Sequence, residues 1–369
     1  MNDLVGFGDP AAVKVLIARI ARTAERLPRR VTLMEVCGTH THAIAAAGIR
    51  RLLPPQVRLI AGPGCPVCVT PVGYVDHAEA LAQCADTIVC TFGDLMRVPS
   101  STGSLEAVCA RGGDVRVVYS PRDALQIARE NQGKTVVFLG VGFETTAPTI
   151  AAALAEAEAG GVTNFLVLSG HKTMPAPLRV LAADPEVKVD GFLLPGHVSV
   201  IIGARVYTFL AAEHGKPAAI VGFTPTDVLR GVEALVGCLA DARPEVINLY
   251  KRVVSEDGNV TARATVDRFF RASDVLWRGL GTIPASGLAL RSEFAHRDAE
   301  RIEVALPEPG EPLGCRCGDV LKGTIDPPEC PLFGAACTPA AAIGACMVSS
   351  EGTCAAWYRH ERYAGRAGA

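Results

Sequence analysis

Short apolar runs alternate with amphipathic segments over the first 221 residues of the chain. Near-continuous apolar runs predict strands that are buried on both faces of a sheet. These runs cover residues 31–36, 57–60, 87–91, 115–119, 135–139, 164–168, 191–194 and 218–221. Helical patterns lie between many of them, at 72–84, 121–131 and 146–158. Strand–helix alternation of this kind predicts a parallel α/β architecture.

Two further helices are predicted at the ends of this alternating region. The first begins at Asp9-Pro10, where a capping residue precedes proline at the first helical position. The second covers residues 224–254, with Thr226-Asp227 as its cap. From residue 224 onwards the alternation of strands and helices stops.

The C-terminal part of the chain differs in composition. PEPGEP at 307–312 predicts a rigid linker, and residues 314–354 are rich in Cys, Gly and Pro. Such a segment has too few large apolar residues to form an ordinary core, so a bound metal cluster is the natural means of ordering it. We therefore predict two parallel-sheet α/β domains around a central cleft, followed by a Cys-rich, mainly helical iron–sulfur domain. Their predicted bounds are 1–125, 126–225 and 226–369.

Composition narrows the class of protein. Of 369 residues, 49% are apolar and 20% are charged, so the chain can form a substantial core. Basic residues number 36 against 38 acidic ones, and this balance argues against a nucleic-acid-binding protein. The start, MNDLVGFGDP, does not resemble a signal peptide, and no apolar run approaches the roughly 20 residues of a membrane helix. We expect a cytoplasmic protein.

Cysteine is the unusual feature, with 13 residues. In a reducing compartment, clustered cysteines indicate metal binding or thiol chemistry more often than disulfides. Six lie between Cys315 and Cys354, and three lie in two glycine-rich turns, at Cys37 and at Cys65/Cys68. The other four are isolated and are expected to be buried core thiols; they are Cys84, Cys90, Cys109 and Cys238.

Polar residues follow several of the predicted strands. The strand ends read MEVCGTHTH, AGPGCPVC, GVGFETT, SGHKTMP and LPGHVS. Because the carboxyl ends of parallel strands meet at one edge of a sheet, we expect these turns to line one shared cleft. His171, Lys172 and His197 are candidates to line it, with local hydrogen-bonded roles as the alternative. GVGFETT is only a weak match to a dinucleotide-binding loop, and no P-loop is present.

Cys37 opens a helix at a strand end, where the positive helix terminus favours the thiolate. With His40 beside it, Cys37 is a candidate ligand or nucleophile, although the turn could also serve packing alone. Cys65 and Cys68 form C-x-x-C, a spacing that allows either a disulfide or a shared metal. Cys37 could add a third sulfur. Soft thiolate ligands suit iron, copper(I) or zinc.

The C-terminal segment gives the strongest signal for a cofactor. Four thiolates are typical of a [4Fe–4S] cluster, while a zinc site and disulfides are the alternatives. Six cysteines exceed four ligands, so spacing alone does not identify the set.

The motifs together resemble one family. MEVCGTHTHAI, GPGCPVCVTP, GFETTAPT, PGHVS and CTP…GACMVSSEGTCAA are similar to motifs of the HypD family of [NiFe]-hydrogenase maturation proteins, from about residue 30 to the C-terminus. The resemblance implies a metal-centre assembly scaffold with thiol and iron–sulfur redox activity rather than an enzyme. On this scaffold the Fe(CN)2CO moiety of the hydrogenase active site is assembled.

The resemblance also implies residue roles. The family spacing C-x14-C-x6-C-x16-C implies a [4Fe–4S] cluster, and the ligands that it selects are Cys315, Cys330, Cys337 and Cys354. Cys317 and Cys346 remain as extras, and an exchange with one of the four stays open. The residues implied to hold or redox-handle the iron, with their polar neighbours, are Cys37, Cys65, Cys68, His40 and Glu351.

The implied partners are a HypC-type small chaperone, a HypE-type cyanide-delivering protein and, indirectly, the hydrogenase large subunit. Two alternatives remain from the residues themselves. One is a stand-alone thiol–disulfide reductase that draws electrons from an iron–sulfur cluster. The other is a structural zinc protein without a redox role.

Overall fold

The computed structural model describes residues 10–362, so the predicted cap at Asp9 lies outside the described residues. The strands are β1 (Val31–Glu35), β2 (Val57–Ala61), β3 (Thr87–Thr91), β4 (Val115–Val117), β5 (Thr135–Gly140), β6 (Phe165–Ser169), β7 (Gly191–Pro195), β8 (Ala218–Val221), β9 (Val246–Asn248), β10 (Phe270–Trp277) and β11 (Gly281–Leu290). The helices are α1 (Pro10–Ala24), α2 (Gly38–Ala46), α3 (Ile49–Leu52), α4 (Pro66–Val69), α5 (Val72–Ala82), α6 (Leu105–Ala110), α7 (Pro121–Glu130), α8 (Ala147–Ala159), α9 (Pro175–Ala183), α10 (Gly196–Ile202), α11 (Phe209–Ala212), α12 (Pro225–Ala240), α13 (Val260–Phe269), α14 (Cys317–Lys322), α15 (Ala345–Val348) and α16 (Thr353–His360).

The first sheet has the strand order β2-β1-β7-β8-β9, and all its neighbouring strands are parallel. In its register Leu33 of β1 lies between Leu59 of β2 and Gly191 of β7. From β1 the chain continues to β2 on one side, whereas β7 is on the other side. The strand order therefore reverses between β1 and β7, which is where open parallel sheets bind ligands beyond the carboxyl ends of their strands.

The second sheet has the order β4-β3-β5-β6 and is also parallel. Its strand order reverses between β3 and β5, so the loop that follows β5, GVGFETT, starts beside that point. The predicted parallel α/β architecture is confirmed. All eight predicted strands form, because an apolar run buried on both faces is a strong local signal.

The sheets divide the chain at positions other than 125 and 225. The first sheet takes strands from residues 31–61 and again from 191–248, while the second takes the continuous segment 87–169. Position 125 lies in α7, and the strands on either side of that helix belong to the same sheet. The local pattern predicts strands but does not show which distant strands pair.

Beyond residue 224 the structure corrects the predicted helix. Thr224 caps α12, since its hydroxyl accepts the Asp227 N–H at 3.2 Å and the Asp227 carboxylate accepts the Thr224 N–H at 3.3 Å. The helix ends at Ala240 instead of continuing to 254. The strand β9 follows and extends the first sheet, so the alternation does not stop where the sequence suggested.

A hairpin of β10 and β11, which the sequence analysis did not predict, packs beside the second sheet. Its strands are antiparallel, and Phe270 and Trp277 at the two ends of β10 are buried. An isolated bridge between Lys172 and Gly287 joins the hairpin to the loop after β6. The hairpin thus covers part of the carboxyl edge of the second sheet.

One hydrophobic core contains residues of both sheets, including Met34 of β1, Val89 of β3, Leu139 of β5 and Phe192 of β7. The two sheets are therefore packed together through shared apolar side chains. Within residues 10–362, no helix combines the length and the apolar character that a bilayer crossing requires.

The isolated cysteines only partly follow the prediction. Cys90 and Cys238 are buried, whereas Cys84 is half-buried and Cys109 is exposed. Cys109 belongs to α6, a short helix that buries Leu105 and Val108 on its other face. An apolar neighbourhood in sequence was therefore a poor guide to burial at Cys109.

The C-terminal segment contains the short helices α14, α15 and α16, but most of its residues lie in the turns between them, so it is not mainly helical as predicted. It lies over the first sheet, since α16 contacts α2 and α15 contacts α4. Arg50 and Glu361 anchor it through an ion pair at 2.6 Å whose side chains are 10% and 4% exposed. Arg58 adds a second pair with Asp326 at 3.0 Å.

Loss of the buried anchor should destabilise the protein strongly. In Glu361→Gln the guanidinium of Arg50 loses its counter-charge, and breaking a buried pair costs about 3–5 kcal/mol. Arg205→Gln is the matched control, because its pair with Asp257 is 67% and 63% exposed and should contribute less than about 1 kcal/mol. Urea unfolding measures both free energies, and equal losses would contradict the anchoring role.

Candidate metal and thiol site

The loops that follow β1 and β2 are joined by their backbones. The Gly62 N–H donates to Glu35 O at 2.7 Å, and the Gly38 N–H donates to Gly64 O at 2.9 Å. A Cβ on Gly64 would overlap the backbone N of Cys37 and would lie 2.5 Å from its Cα. Because only glycine allows this approach, the turn that carries the C-x-x-C pair rests directly on the residue at the head of α2.

Cys37 is the N-cap residue of α2, and its side chain is 1% exposed. The backbone N–H groups of His40 and Thr39 at the helix terminus lower the pKa of its thiol. Burial nevertheless raises the pKa of the Cys37 thiol far above its usual range, and the nearby carboxylates of Glu35 and Glu351 add to the rise. The sequence argument for a thiolate is therefore wrong for the metal-free protein, since desolvation outweighs the helix terminus.

Cys65 and Cys68 flank a single helical turn. Cys65 caps α4, with the Cys68 N–H donating to its sulfur at 3.3 Å, and Pro66 occupies the first helical position. The two side chains are 4% and 0% exposed. Burial raises the pKa of Cys68, and the neighbouring thiol of Cys346 in the C-terminal segment lowers it by less.

His40 is buried but faces away from the thiols. Its Nε2 lies 2.9 Å from Gly222 O, and its ring packs against Phe223 with centroids 5.1 Å apart. Burial lowers the pKa of His40 to about 4, so the ring is neutral at physiological pH. The contribution of His40 to Cys37 is thus its backbone N–H.

The imidazole beside Cys37 belongs instead to His197. Its Nδ1 lies 3.9 Å from the Cys37 sulfur, and burial lowers its pKa. His197 follows β7, so the pair sits where the strand order of the first sheet reverses. The sequence placed His197 among the cleft candidates but could not rank it, because its proximity depends on β7 pairing with β1.

Glu351 comes from the C-terminal segment and reaches the head of α2. Its Oε1 accepts the Thr39 hydroxyl at 2.8 Å. A Cβ on Gly38 would lie 2.5 Å from the Glu351 Cβ, so glycine is required at that position. The structure therefore places Glu351 beside Cys37. This position agrees with the family resemblance, which implied that Glu351 acts together with Cys37.

Glu35 is a second buried carboxyl group at this site, and the sequence analysis did not single it out. Its Oε2 accepts the Cys37 N–H at 3.0 Å, and its Oε1 accepts the Thr41 hydroxyl. Burial raises the pKa of Glu35 to about 7. The carboxyl group fixes the first turn of α2 and hence the position of Cys37.

All six C-terminal cysteines line one enclosed cavity of about 20 Å³, together with Val320, Leu332, Phe333 and Met347. The cysteines are Cys315, Cys317, Cys330, Cys337, Cys346 and Cys354. A Cβ on Gly344 would lie 2.6 Å from the Cys315 sulfur, so glycine leaves room for that thiol.

Cys317 and Cys346 form a close pair within the cavity. Their sulfurs lie 2.8 Å apart, and the thiols of Cys68 and Cys354 both influence the pKa of Cys346, as the thiol of Cys315 influences that of Cys317. Together with Cys65 and Cys68, this pair forms a series of thiols that leads from the end of β2 to the cavity. Among residues 10–362, no three His, Cys, Asp or Glu side chains already stand close enough together to hold a single metal ion.

The expected single cleft is divided between the two sheets. The turns after β1, β2 and β7 meet at the thiol site, while those after β5 and β6 belong to the second sheet. There Glu144 is buried and accepts the Met174 N–H at 2.8 Å, and His171 packs against Phe270. Lys172 lines a separate cavity.

Known proteins with similar sequences are hydrogenase maturation factors. The HypD family model, described as "Hydrogenase formation hypA family", matches residues 11–361. Hydrogenase maturation factor HypD of Rhodobacter capsulatus is 45% identical over 366 residues, covering 96% of this chain and 97% of that protein. The proteins of the same name from Escherichia coli (strain K12) and Cupriavidus necator are each 46% identical to this chain. The match to the first covers 96% of both chains, and the match to the second covers 94% of both.

One solved structure is a distant match. A conserved domain protein from Vibrio cholerae has a TM-score of 0.14 and 9% sequence identity, with coverage of 73% of this chain and 98% of that one.

Gly64→Ala should separate the two loops of the thiol site. The added methyl group overlaps the Cys37 backbone, which has no room to move, so we expect a loss of about 1–3 kcal/mol in the free energy of unfolding. We also expect faster alkylation of Cys37 and Cys65 by iodoacetamide, measured by mass spectrometry with exposed Cys109 as the internal reference.

Gly133→Ala is the control for this variant, because a Cβ at Gly133 meets nothing within 4 Å. Unchanged alkylation of Cys37 in Gly64→Ala would show that the close approach does not hold the site together.

Proposed function

Because this chain belongs to the HypD family, we propose that it is a [NiFe]-hydrogenase maturation factor on which the Fe(CN)2CO moiety is assembled before its transfer to the large subunit. The resemblance of the motifs is confirmed over nearly the whole chain by the family match.

One observation carries the scaffold role. Three thiols from two loops, those of Cys37, Cys65 and Cys68, are gathered where neighbouring strands end, and His197 and Glu351 border the same place. Iron with cyanide and carbonyl ligands is the cargo of this site, and thiolates are suitable protein donors for it. Binding of the metal would displace the protons that burial favours on the thiols of Cys37 and Cys68.

The C-terminal cavity fits a [4Fe–4S] cluster by its donors, because six cysteine thiols line it together with mainly apolar side chains. Its volume of about 20 Å³ requires the side chains to turn outwards when a cluster binds. Cys315, Cys330, Cys337 and Cys354 would hold it, which follows the family spacing. A bound cluster supplies single electrons at a potential that the surrounding protein sets.

The remaining pair, Cys317 and Cys346, is placed to exchange disulfides with Cys65 and Cys68. A Cys346 thiolate that attacks a Cys65–Cys68 disulfide at Cys68 would form a mixed disulfide and release the Cys65 thiolate. Cys317, 2.8 Å from Cys346, would then displace Cys68. Two electrons move from one pair to the other, and the reduced pair at the end of β2 becomes available to iron.

The alternative of a stand-alone thiol–disulfide reductase is less favourable. Such an enzyme needs a thiol that a protein substrate can reach, whereas Cys65 is 4% exposed and Cys68 is fully buried. We therefore assign the redox chemistry to the assembly of the cargo. A HypC-type chaperone and a HypE-type cyanide donor would act with this chain in the cytoplasm.

Cys37→Ala and Cys65→Ala should each abolish hydrogenase maturation while the C-terminal cluster persists, because the substituted thiols lie outside the cavity that would hold it. Hydrogenase activity is measured in a host that lacks its own family member, and the cluster is followed by broad visible absorption. Cys109→Ala is the matched control, since Cys109 is exposed on α6. Full activity in Cys37→Ala would contradict the cargo site.

Substitutions in the cavity should distinguish the cysteines that hold the cluster from Cys317 and Cys346, which exchange disulfides with the C-x-x-C pair. After anaerobic reconstitution, Cys330→Ser and Cys337→Ser should lose most of the iron and sulfide bound per chain. Cys317→Ser and Cys346→Ser should retain both, yet fail in maturation. Retention of a full cluster in Cys330→Ser, or its loss in Cys317→Ser, would overturn this division.

A further inference from the structure

A second cavity, of about 480 Å³, contains a buried cation without a counter-charge. Lys172 is 3% exposed and lines this cavity. Among residues 10–362, its ammonium group has no hydrogen-bond acceptor and no carboxylate within 4.0 Å, and the face of Trp277 lies 5.9 Å away. Burial lowers the pKa of Lys172 to about 8, so the amine remains largely protonated at neutral pH.

A buried ammonium group is costly unless an anion accompanies it. A side chain that served packing alone could be apolar at this position, and a structural ion pair would show a carboxylate in contact. His77 lines the same cavity, although its unpartnered Nε2 is shielded from solvent. The ammonium group of Lys172 is therefore the cation that an anionic group in the cavity would meet.

The mouth of the cavity has the opposite charge. Three exposed carboxylates line it, those of Asp274, Glu300 and Glu311. Glu311 pairs with Arg278 at 3.4 Å, which leaves Asp274 and Glu300 without a cation within 4.0 Å among the described residues. A simple anion would meet repulsion from these two groups on its way to Lys172.

We propose that this cavity binds a small zwitterion of the amino-acid type, with its carboxylate on Lys172 and its ammonium group toward Glu300 and Asp274. The volume suits a small molecule and excludes a folded partner. Both charges of such a ligand meet complementary charges of the cavity.

The cavity lies next to the thiol site. Its wall includes Pro71 and Val72, which follow the turn of α4, and Glu311 of the linker to the C-terminal cysteines. Arg278 joins the two sides, since its Nε donates to Thr70 O at 2.9 Å while its guanidinium pairs with Glu311. Occupancy of the cavity should therefore rigidify the linker.

The test is isothermal titration of the full-length protein with L-lysine, glycine, acetate and cadaverine as probes. The zwitterions should bind at least about tenfold more tightly than acetate, which lacks the cation, or cadaverine, which lacks the carboxylate. Lys172→Met should abolish this binding. Lys188→Met is the matched control, because Lys188 is exposed on the surface and should leave the affinity unchanged.

A second measurement covers the case in which Lys172→Met does not fold. In the unsubstituted protein, L-lysine or glycine should slow the acetylation of Lys172 by acetic anhydride relative to Lys188. Binding that survives in a folded Lys172→Met variant, acetate as tight as glycine, cadaverine as tight as L-lysine, or absence of protection would each overturn the proposal. None of these outcomes depends on iron or on hydrogenase maturation, so a failure of ligand binding would leave the proposed maturation function untouched.

Discussion

The close approach of the Gly64 backbone to Cys37 is the constraint on which the thiol site depends. Parallel pairing of β1 with β2 brings the two strand ends side by side, and the absence of a side chain at Gly64 lets the loops touch. Cys37 thereby becomes a neighbour of the C-x-x-C pair, which lies about 30 residues further along the chain. The C-terminal segment then covers the site, with Glu351 against α2 and Cys346 against Cys68.

Burial sets the chemistry of this site more strongly than any single charge. The helix terminus at Cys37 favours the thiolate, but removal from water favours the thiol by more. Buried Glu35 and neutral His40 reflect the same effect. Burial therefore favours the protonated thiols of Cys37 and Cys68, and a metal that binds them must replace their protons.

Much of the local structure could be predicted from the sequence. The apolar runs marked eight strands because burial on both faces leaves a clear pattern. The beginning of α12 was also marked, although its cap is Thr224 with Asp227 rather than Thr226-Asp227. Features that depend on long-range pairing could not be predicted in this way: the two-part first sheet, β9, and the contact of His197 with Cys37. The β10–β11 hairpin is local, but only the two ends of β10 are buried, so its apolar pattern is weak. Glu35 could not be recognised as a site residue, because the sequence does not distinguish a buried glutamate in a strand from an exposed one.

Infrared spectroscopy of the protein purified anaerobically with its partners tests the central claim most directly, since cyanide and carbonyl ligands absorb where protein is transparent. The assembly of iron on these thiols predicts stretching bands of both ligands in the purified complex. Absence of both bands in a complex taken from cells whose hydrogenase is fully active would contradict it, because the iron moiety would then be built elsewhere.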